Sequence, residues 1–172
     1  MIWVYVIGGF VILFGAVVLR GAPYVPSQKR YIIQALTELY PLDSNDVLVD
    51  IGSGDGIVLR QAAKQGARAI GYELNPILVI ISRFLCRHQP LVSVRLADFW
   101  LTPLPDDTTV VYLFGVARDK KKTIKKLQSE TNRLDHELQL ICYGDMLGTQ
   151  TAVKAVGGYL LYAFTPLQVS RA

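Results

Sequence analysis

The chain has 172 residues, of which 51% are hydrophobic, and a formal net charge of +4. This length predicts one domain of ordinary size. Five positive charges lie within seven residues, at Lys120, Lys121, Lys122, Lys125 and Lys126. Without these lysines the net charge of +4 becomes −1, so the composition does not indicate a nucleic-acid partner. The cluster itself fits either an anionic lipid or acidic partner, or an ordinary solvated helix face.

The N-terminal segment carries no charged side chain, and 2–19 is an uninterrupted run of apolar residues and glycine. As a helix this run would be roughly 27 Å long, close to the hydrocarbon thickness of a bilayer. We therefore predict a transmembrane helix over 1–20, with Trp3 and Tyr5 as interfacial anchors. A cleaved signal peptide is the alternative. It is disfavoured because no Lys or Arg precedes the run and no small-x-small site follows it before Arg20.

Residues 21–46 are predicted to form a linker and a helix ahead of the main domain. Positive charges follow the apolar run, at Arg20, Lys29 and Arg30. By the positive-inside rule they place the domain on the cytoplasmic or mitochondrial matrix side of a single-pass protein. The linker 21–26 contains two prolines, so the domain would lie within about 20 Å of the bilayer. Ser27 is predicted to cap a helix that ends at Pro41. Its apolar face is formed by Ile32, Ile33, Leu36 and Leu39.

Strand and helix patterns then alternate regularly through 47–172. Strands are predicted over 47–51, 68–72, 91–96, 109–114 and 137–143. Helices are predicted over 57–65, 76–87 and 119–134. Two further apolar segments, 149–156 and 159–164, are joined by Gly157-Gly158, which is typical of a hairpin. The pattern predicts an α/β domain with an open, mostly parallel sheet, helices on both faces and an antiparallel hairpin at the C-terminus.

The first predicted strand runs directly into a loop with glycine at every second position. Gly52, Gly54 and Gly56 remove the side chains that would block a ligand from the backbone. The next strands are followed by acids, Glu73 and Asp98. Ligands of such sheets bind at the carboxyl ends of the strands, where a carboxylate accepts ribose hydroxyls. The arrangement predicts a nucleoside pocket, with Asp98 available to the exocyclic amine of adenine.

The loop differs from the dinucleotide fingerprint G-x-G-x-x-G. Its third glycine comes one position early, at Gly56, and Ile57 stands where that fingerprint has Gly or Ala. Asp55 would repel a pyrophosphate, whereas Asp50 or Asp55 would attract the ammonium of an amino-acid tail. This difference favours S-adenosylmethionine over a nicotinamide dinucleotide.

These residues resemble the class I, seven-strand S-adenosylmethionine-dependent methyltransferases, through Val49-Asp-Ile-Gly-Ser-Gly-Asp-Gly56 and Gly71-Tyr-Glu-Leu-Asn-Pro76. The segment Pro23-Tyr-Val-Pro26 and the N-terminal apolar run narrow the resemblance to small membrane-anchored protein-lysine methyltransferases. Mitochondrial members of that group modify the c-subunit of ATP synthase and the adenine nucleotide translocase. The chain departs from the group at Ile57-Val58-Leu59, where Arg-Ile-Val is usual, and at Phe114-Gly115-Val116 after the fourth strand.

The resemblance implies a Rossmann-like, seven-stranded fold and a cofactor site on the loops after the first three strands. Asp50, Gly52 and Gly54 would line the methionine end, Glu73 the ribose, and Asp98 with Phe99 the adenine. Tyr24 with Pro26 would close over the cofactor or the target side chain. The full set predicted to bind the cofactor is Asp50, Gly52, Ser53, Gly54, Asp55, Gly56, Glu73, Leu74, Asn75, Asp98 and Phe99.

Methyl transfer from a sulfonium is an in-line displacement, which requires alignment and exclusion of water but no triad and no metal. His88 and His136 are accordingly interpreted as surface or packing residues. Cys86 and Cys142 lack metal-ligand spacing and are predicted to be buried thiols in a reducing compartment. A lysine acceptor must lose a proton, for which Tyr24, Tyr112 and Tyr143 are candidates, with packing as their alternative role.

The sequence thus predicts a membrane-tethered methyltransferase that N-methylates a lysine of a membrane protein. Two other functions stay open at this point. One is methylation of a lipid or quinone, and the other is a non-catalytic cofactor-binding scaffold at the membrane.

Overall fold

A computed structural model describes residues 2–5, 8–9, 28–114, 120–144, 147–148 and 150–167. Its strands are β1 (Val47–Ile51), β2 (Arg68–Glu73), β3 (Val92–Leu96), β4 (Val110–Leu113), β5 (Leu138–Tyr143), β6 (Lys154–Val156) and β7 (Tyr159–Phe164). They form one seven-stranded sheet in the order β3-β2-β1-β4-β5-β7-β6. The first five strands are parallel, and β7 runs antiparallel to both β5 and β6. The predicted sheet and its C-terminal hairpin are confirmed.

The helices are α1 (Lys29–Gln34, continued by a π-helical turn over Ala35–Leu39), α2 (Ile57–Lys64), α3 (Pro76–Cys86) and α4 (Lys120–Leu134). Three of them begin or end within one residue of the predicted bounds. The start of α3 shows why: the Asn75 side chain accepts a hydrogen bond from the Ile77 amide at 3.0 Å, and Pro76 stands at the first helical position.

The helix ahead of the sheet differs from its prediction in one respect. Ile32, Ala35, Leu36 and Leu39 are buried, whereas the side chain of Ile33 is 37% exposed. The prediction that Ile33 belongs to the buried face is therefore wrong, because the buried stripe runs from Ile32 to Leu36 at helical spacing and Ile33 lies beside it. The N-cap position is Gln28 rather than the predicted Ser27, which lies outside the described residues.

The predicted membrane helix over 1–20 falls largely outside the described residues. Its described parts, 2–5 and 8–9, are helical, and the side chains of Trp3 and Tyr5 are exposed. Among the described residues, no helix combines the length and the apolar composition that crossing a bilayer requires. The linker with Tyr24 and Pro26 also lies outside the described residues.

The sheet separates two apolar layers, because alternate residues of each strand point to opposite faces. Leu48 and Val110 belong to the layer that includes α1, α2 and α3, and Val49 and Val111 to the layer that includes α4. Asp50 lies near the carboxyl end of the central strand β1, in register with Gly71 of β2 and Tyr112 of β4. Since β1 is where the strand order reverses, the crevice predicted for a ligand opens beside Asp50.

Candidate cofactor site

The loop between β1 and α2 is built on glycines in the left-handed region. Gly52, Gly54 and Gly56 have φ values of 75°, 54° and 76°. A Cβ atom on Gly52 would meet no atom of the described residues within 4 Å. None of these residues therefore fills the space beside the start of the loop. A Cβ on Gly56 would collide with Ser82 Oγ. The first glycine therefore faces open space, while the last permits α2 and α3 to pack closely.

Glu73 ties the glycine loop to the end of β2. Its Oε2 accepts a hydrogen bond from the Gly54 amide at 2.9 Å, and its Oε1 accepts one from the Asn75 amide at 2.8 Å. The residue is 9% exposed. A carboxylate oxygen has two lone-pair sites, so each oxygen retains the capacity to accept a further hydrogen bond.

The same two elements approach each other closely at Gly71. A Cβ atom there would lie 2.5 Å from Ser53 Oγ and 2.7 Å from Leu59 Cδ1, so a larger residue would push the loop away from β2. Ser53 Oγ is buried and has no hydrogen-bond partner among the described residues. The Ser53 side chain thus lies over β2, and the predicted contact of this residue with a ligand would come from its backbone.

The structure distinguishes the two acids that the sequence offered for an ammonium group. Asp55 is paired with Arg60, whose Nη2 lies 3.3 Å from Asp55 Oδ2 and whose Nη1 donates to the Asp55 carbonyl at 2.6 Å. Asp55 Oδ1 also accepts a hydrogen bond from the Ile57 amide at 3.1 Å. The charge of Asp55 is therefore compensated within the first turns of α2.

Asp50, by contrast, is 3% exposed in a negative environment. Burial raises its pKa well above the ordinary value, and the nearby carboxylates of Glu73 and Asp55 raise it further. A cation placed beside Asp50 would reverse this effect. Asp50 is thus the acid whose surroundings favour an incoming positive group.

The residues that follow β3 form a compact turn. Asp98 is half-buried. Its Oδ1 accepts a hydrogen bond from the Trp100 amide at 2.9 Å. Its backbone carbonyl accepts one from the Thr102 amide at 2.8 Å. Phe99 is 5% exposed, with its ring centroid 5.2 Å from that of Trp100. The second carboxylate oxygen of Asp98 and the backbone of this turn are the groups that remain for a nucleobase. Leu74, beyond β2, is 38% exposed.

Two of the three candidate tyrosines lie within the described residues, and they differ in access. Tyr112 is fully buried, and its hydroxyl lies 2.8 Å from that of Tyr159. Tyr143, at the end of β5, is 46% exposed, and its ring lies 5.3 Å from Phe114 and 5.2 Å from Tyr159. Tyr24 is outside the described residues. Tyr143 is therefore the candidate whose hydroxyl a substrate can reach.

Sequence reasoning named Tyr112 and Tyr143 separately but missed that they form one aromatic cluster with Phe114 and Tyr159, at the carboxyl ends of β4 and β5. The sequence feature that could have revealed the cluster is the alternation of residues along β7, in which Tyr159 and Leu161 face the same side of the sheet as Ile141. The cluster lies on the sheet face that also carries Asp50.

A family model described as the ANTKMT methyltransferase domain matches residues 50–137, about half of the chain. The chain belongs to this family. The match begins at Asp50 and contains the glycine loop, Glu73, Asp98 and α4.

Named relatives of this family member support the same assignment. An ATP synthase C-subunit lysine N-methyltransferase of Xenopus laevis is 38% identical over 111 residues, which are 63% of this chain and 48% of the relative. A protein of the same name in Caenorhabditis elegans is 40% identical over 122 residues, with 65% of this chain and 64% of the relative covered. The chain thus spans about half to two thirds of the length of these relatives.

A solved structure with the same fold is that of an RNA methyltransferase from Salinibacter ruber in complex with S-adenosyl-L-homocysteine. It superposes with a TM-score of 0.71 at 28% identity and covers 86% of this chain and 98% of the other. The ANTKMT family member therefore has the class I methyltransferase fold.

Outside the candidate site, His136 is a packing residue, as interpreted from the sequence. Its ring nitrogens lie 3.1 Å from the Leu134 carbonyl and 2.8 Å from the Thr108 carbonyl.

In the lysine cluster, Lys126 forms an ion pair of 2.7 Å with Glu130, and Lys122 lies 4.3 Å from the Trp100 ring centroid. Part of the cluster thus stabilises the domain itself, while Lys121 and Lys125 are exposed.

Proposed function

We propose that this chain is an S-adenosylmethionine-dependent methyltransferase that transfers a methyl group to a lysine of a membrane protein. The observation that carries the proposal is the Glu73 carboxylate, which holds the glycine loop at Gly54 and stands beside the buried Asp50. Membership of the family and the names of the relatives support the reaction class and the lysine acceptor.

The residues present fit this cofactor. Glu73 has acceptor capacity for two ribose hydroxyls, and Asp50 has, among the described residues, no ion-pair partner such as Arg60 provides for Asp55. The open space beside Gly52 leaves room for an aliphatic tail. Asp98 retains one carboxylate oxygen for an exocyclic amine. When bound, S-adenosylmethionine supplies an electrophilic methyl group on a sulfonium.

The chain's own residues would position and desolvate the reacting groups. The hydrogen bonds of Glu73 fix the loop, which reduces the entropy cost of alignment. A lysine amine attacks only in its neutral form, so a group near the acceptor must take or relay a proton. Tyr143 is the exposed candidate for this role, next to the rings of Phe114 and Tyr159.

We further propose that residues 1–20 anchor the protein in a membrane, with the domain on the cytoplasmic or mitochondrial matrix side. The support is the uncharged run over 2–19 and the positive charges that follow it. A tether this close to the domain would restrict its substrates to groups near the bilayer surface.

The test incubates the full chain in detergent with methyl-labelled S-adenosylmethionine and membrane fractions. Label on a protein band, located to a lysine by mass spectrometry, is the expected result. Label found only in the lipid extract, or only in nuclease-sensitive material, would contradict the lysine acceptor and indicate a lipid, quinone or RNA. Cofactor binding without transfer to any fraction would indicate a scaffold.

Glu73→Ala is the test variant for the pocket, and Glu137→Ala is its matched control, because Glu137 is exposed beyond α4. At a cofactor concentration that does not saturate the wild type, transfer should fall strongly in the first variant and be retained in the second. Equal transfer by both variants would refute the pocket.

A further inference from the structure

The outer side of α3 is an exposed apolar surface. Val79, Ser82 and Cys86 are buried against the sheet. The opposite side carries large apolar residues that are 67%, 41%, 63% and 43% exposed, at Ile80, Ile81, Phe84 and Leu85. We refer to these four residues as the α3 apolar face. A helix that is apolar on all sides is normally covered on all sides.

The segment that forms this face and its flanks, 74–97, carries charge of one sign. From 74 to 97 the sequence contains no Asp or Glu, but it contains Arg83, Arg87, Arg95 and His88. The Arg87 guanidinium lies 4.2 Å from the Phe84 ring centroid, and Arg83 donates to the Val94 carbonyl at 3.0 and 2.8 Å. Both arginines therefore lie at the border of the apolar face, with their aliphatic stems along it.

An exposed apolar patch of this kind marks contact with a protein or a membrane. The arginine border and the absence of acids from 74–97 are complementary to anionic lipid headgroups, which attract Lys and Arg to helices that lie in the interface. The inference also rests on the membrane anchor proposed above for residues 1–20, which would hold this face near a bilayer. We propose that the α3 apolar face lies on an anionic bilayer, with its four side chains at the boundary of headgroups and acyl chains.

This orientation of the domain differs from the one expected if the lysine cluster of α4 were the part that contacts the membrane. Val79 of α3 packs in one apolar layer and Leu127 of α4 in the other, so the two helices lie on opposite faces of the sheet. A flat bilayer in contact with the middle of α3 leaves the middle of α4 in water. The proposal is independent of methyl transfer, since it concerns only how the domain lies on the membrane.

The experiment reads the depth of single positions in the full chain, reconstituted into vesicles of phosphatidylcholine with phosphatidylglycerol. Cys86 and Cys142, both buried, are replaced by alanine. A polarity-sensitive fluorophore is then attached at Ile80→Cys or at Ser129→Cys. Ser129 is exposed on α4, four residues after Lys125, and serves as the matched control. Thermal unfolding of each labelled chain verifies that it is folded.

We expect the emission at position 80 to shift to the blue and to be quenched by nitroxide-labelled lipids, while position 129 shows neither change. Arg87→Glu should reduce the quenching at position 80, since it reverses one charge of the border. Quenching at 129 and not at 80, or at neither, would overturn the proposal. A blue-shifted emission at 80 without vesicles would do the same. It would mean that the chain itself, or a second copy if the shift depends on protein concentration, covers the face.

Discussion

Glu73 Oε2 accepts the Gly54 amide at 2.9 Å, so the acid that ends β2 also holds the glycine loop that follows β1. One carboxylate thereby links the two elements that would contact the ribose and the tail of the cofactor. Its second oxygen, held by the Asn75 amide at 2.8 Å, fixes the start of α3 to the same point. Both the free energy of unfolding and the affinity for the cofactor should therefore depend on the Glu73 side chain.

Replacement of Glu73 by alanine is expected to weaken binding of S-adenosylmethionine by about 10- to 100-fold, since hydrogen bonds to a charged group contribute about 1.5–3 kcal/mol. It should also lower the free energy of unfolding by about 1–3 kcal/mol, because two backbone amides lose their acceptor. Calorimetric titration and urea unfolding measure the two effects. Full affinity in a folded Glu73→Ala chain would show that the cofactor binds elsewhere.

Asp50→Asn should separate stability from binding. The raised pKa of Asp50 means that this group favours the folded state fully below its unfolded pKa of about 3.9, and that the contribution is lost as pH rises through the folded pKa. Asparagine removes the titration. The ligand-free variant should thus be more stable than the wild type at about pH 8. The difference should be about 1.4 kcal/mol for each tenfold difference between the acid dissociation constants of Asp50 in the folded and unfolded states.

The same variant should bind the cofactor more weakly, because the partner of the ammonium is lost. In the wild type, affinity should fall as pH drops through the pKa of Asp50, since the neutral acid no longer attracts a cation. Melting curves and cofactor titrations over a series of pH values, from acidic to alkaline, provide the measurements. Lower stability of Asp50→Asn at alkaline pH would contradict the assignment.

The sheet was predictable because its signals are local. Alternating apolar runs, Gly66 after α2, Pro76 at the start of α3 and the Gly157-Gly158 turn each fix an element without reference to the rest of the chain. The same holds for Glu73, since its position follows from the end of β2.

The partners of the acidic residues were not predictable in this way. The charge argument from sequence left Asp50 and Asp55 both open for the ammonium, and only the position of the Arg60 side chain shows that Asp55 is already paired. The contact between Tyr112 and Tyr159 joins residues 47 positions apart and depends on the register of β4, β5 and β7. Contacts that arise from strand register are invisible to a local pattern.

Arg60→Ala provides a test of the pairing with Asp55. We expect a loss of stability of about 0.5–1 kcal/mol, as for a partly exposed ion pair, with cofactor affinity within a few-fold of the wild type. Asp55→Asn should behave in the same way, whereas Asp50→Asn should lose affinity. If Asp55→Asn were the variant that weakens binding, the assignment of the ammonium to Asp50 would be wrong.

Tyr143→Phe and Tyr112→Phe form a matched pair, each removing one hydroxyl from the same aromatic cluster. Tyr143 is 46% exposed, so its loss should leave the melting temperature nearly unchanged. If its hydroxyl relays the proton of the acceptor, kcat should fall by about 10²-fold or more while cofactor affinity is retained. The pH–rate profile should then shift, and a small neutral amine offered as a proton acceptor should restore part of the rate.

Tyr112→Phe leaves the buried Tyr159 hydroxyl with one partner fewer, so it should lower the free energy of unfolding by about 1–2 kcal/mol. Its effect on kcat should be the smaller of the two. The reverse ranking would show that the buried hydroxyl pair, and not Tyr143, serves the acceptor.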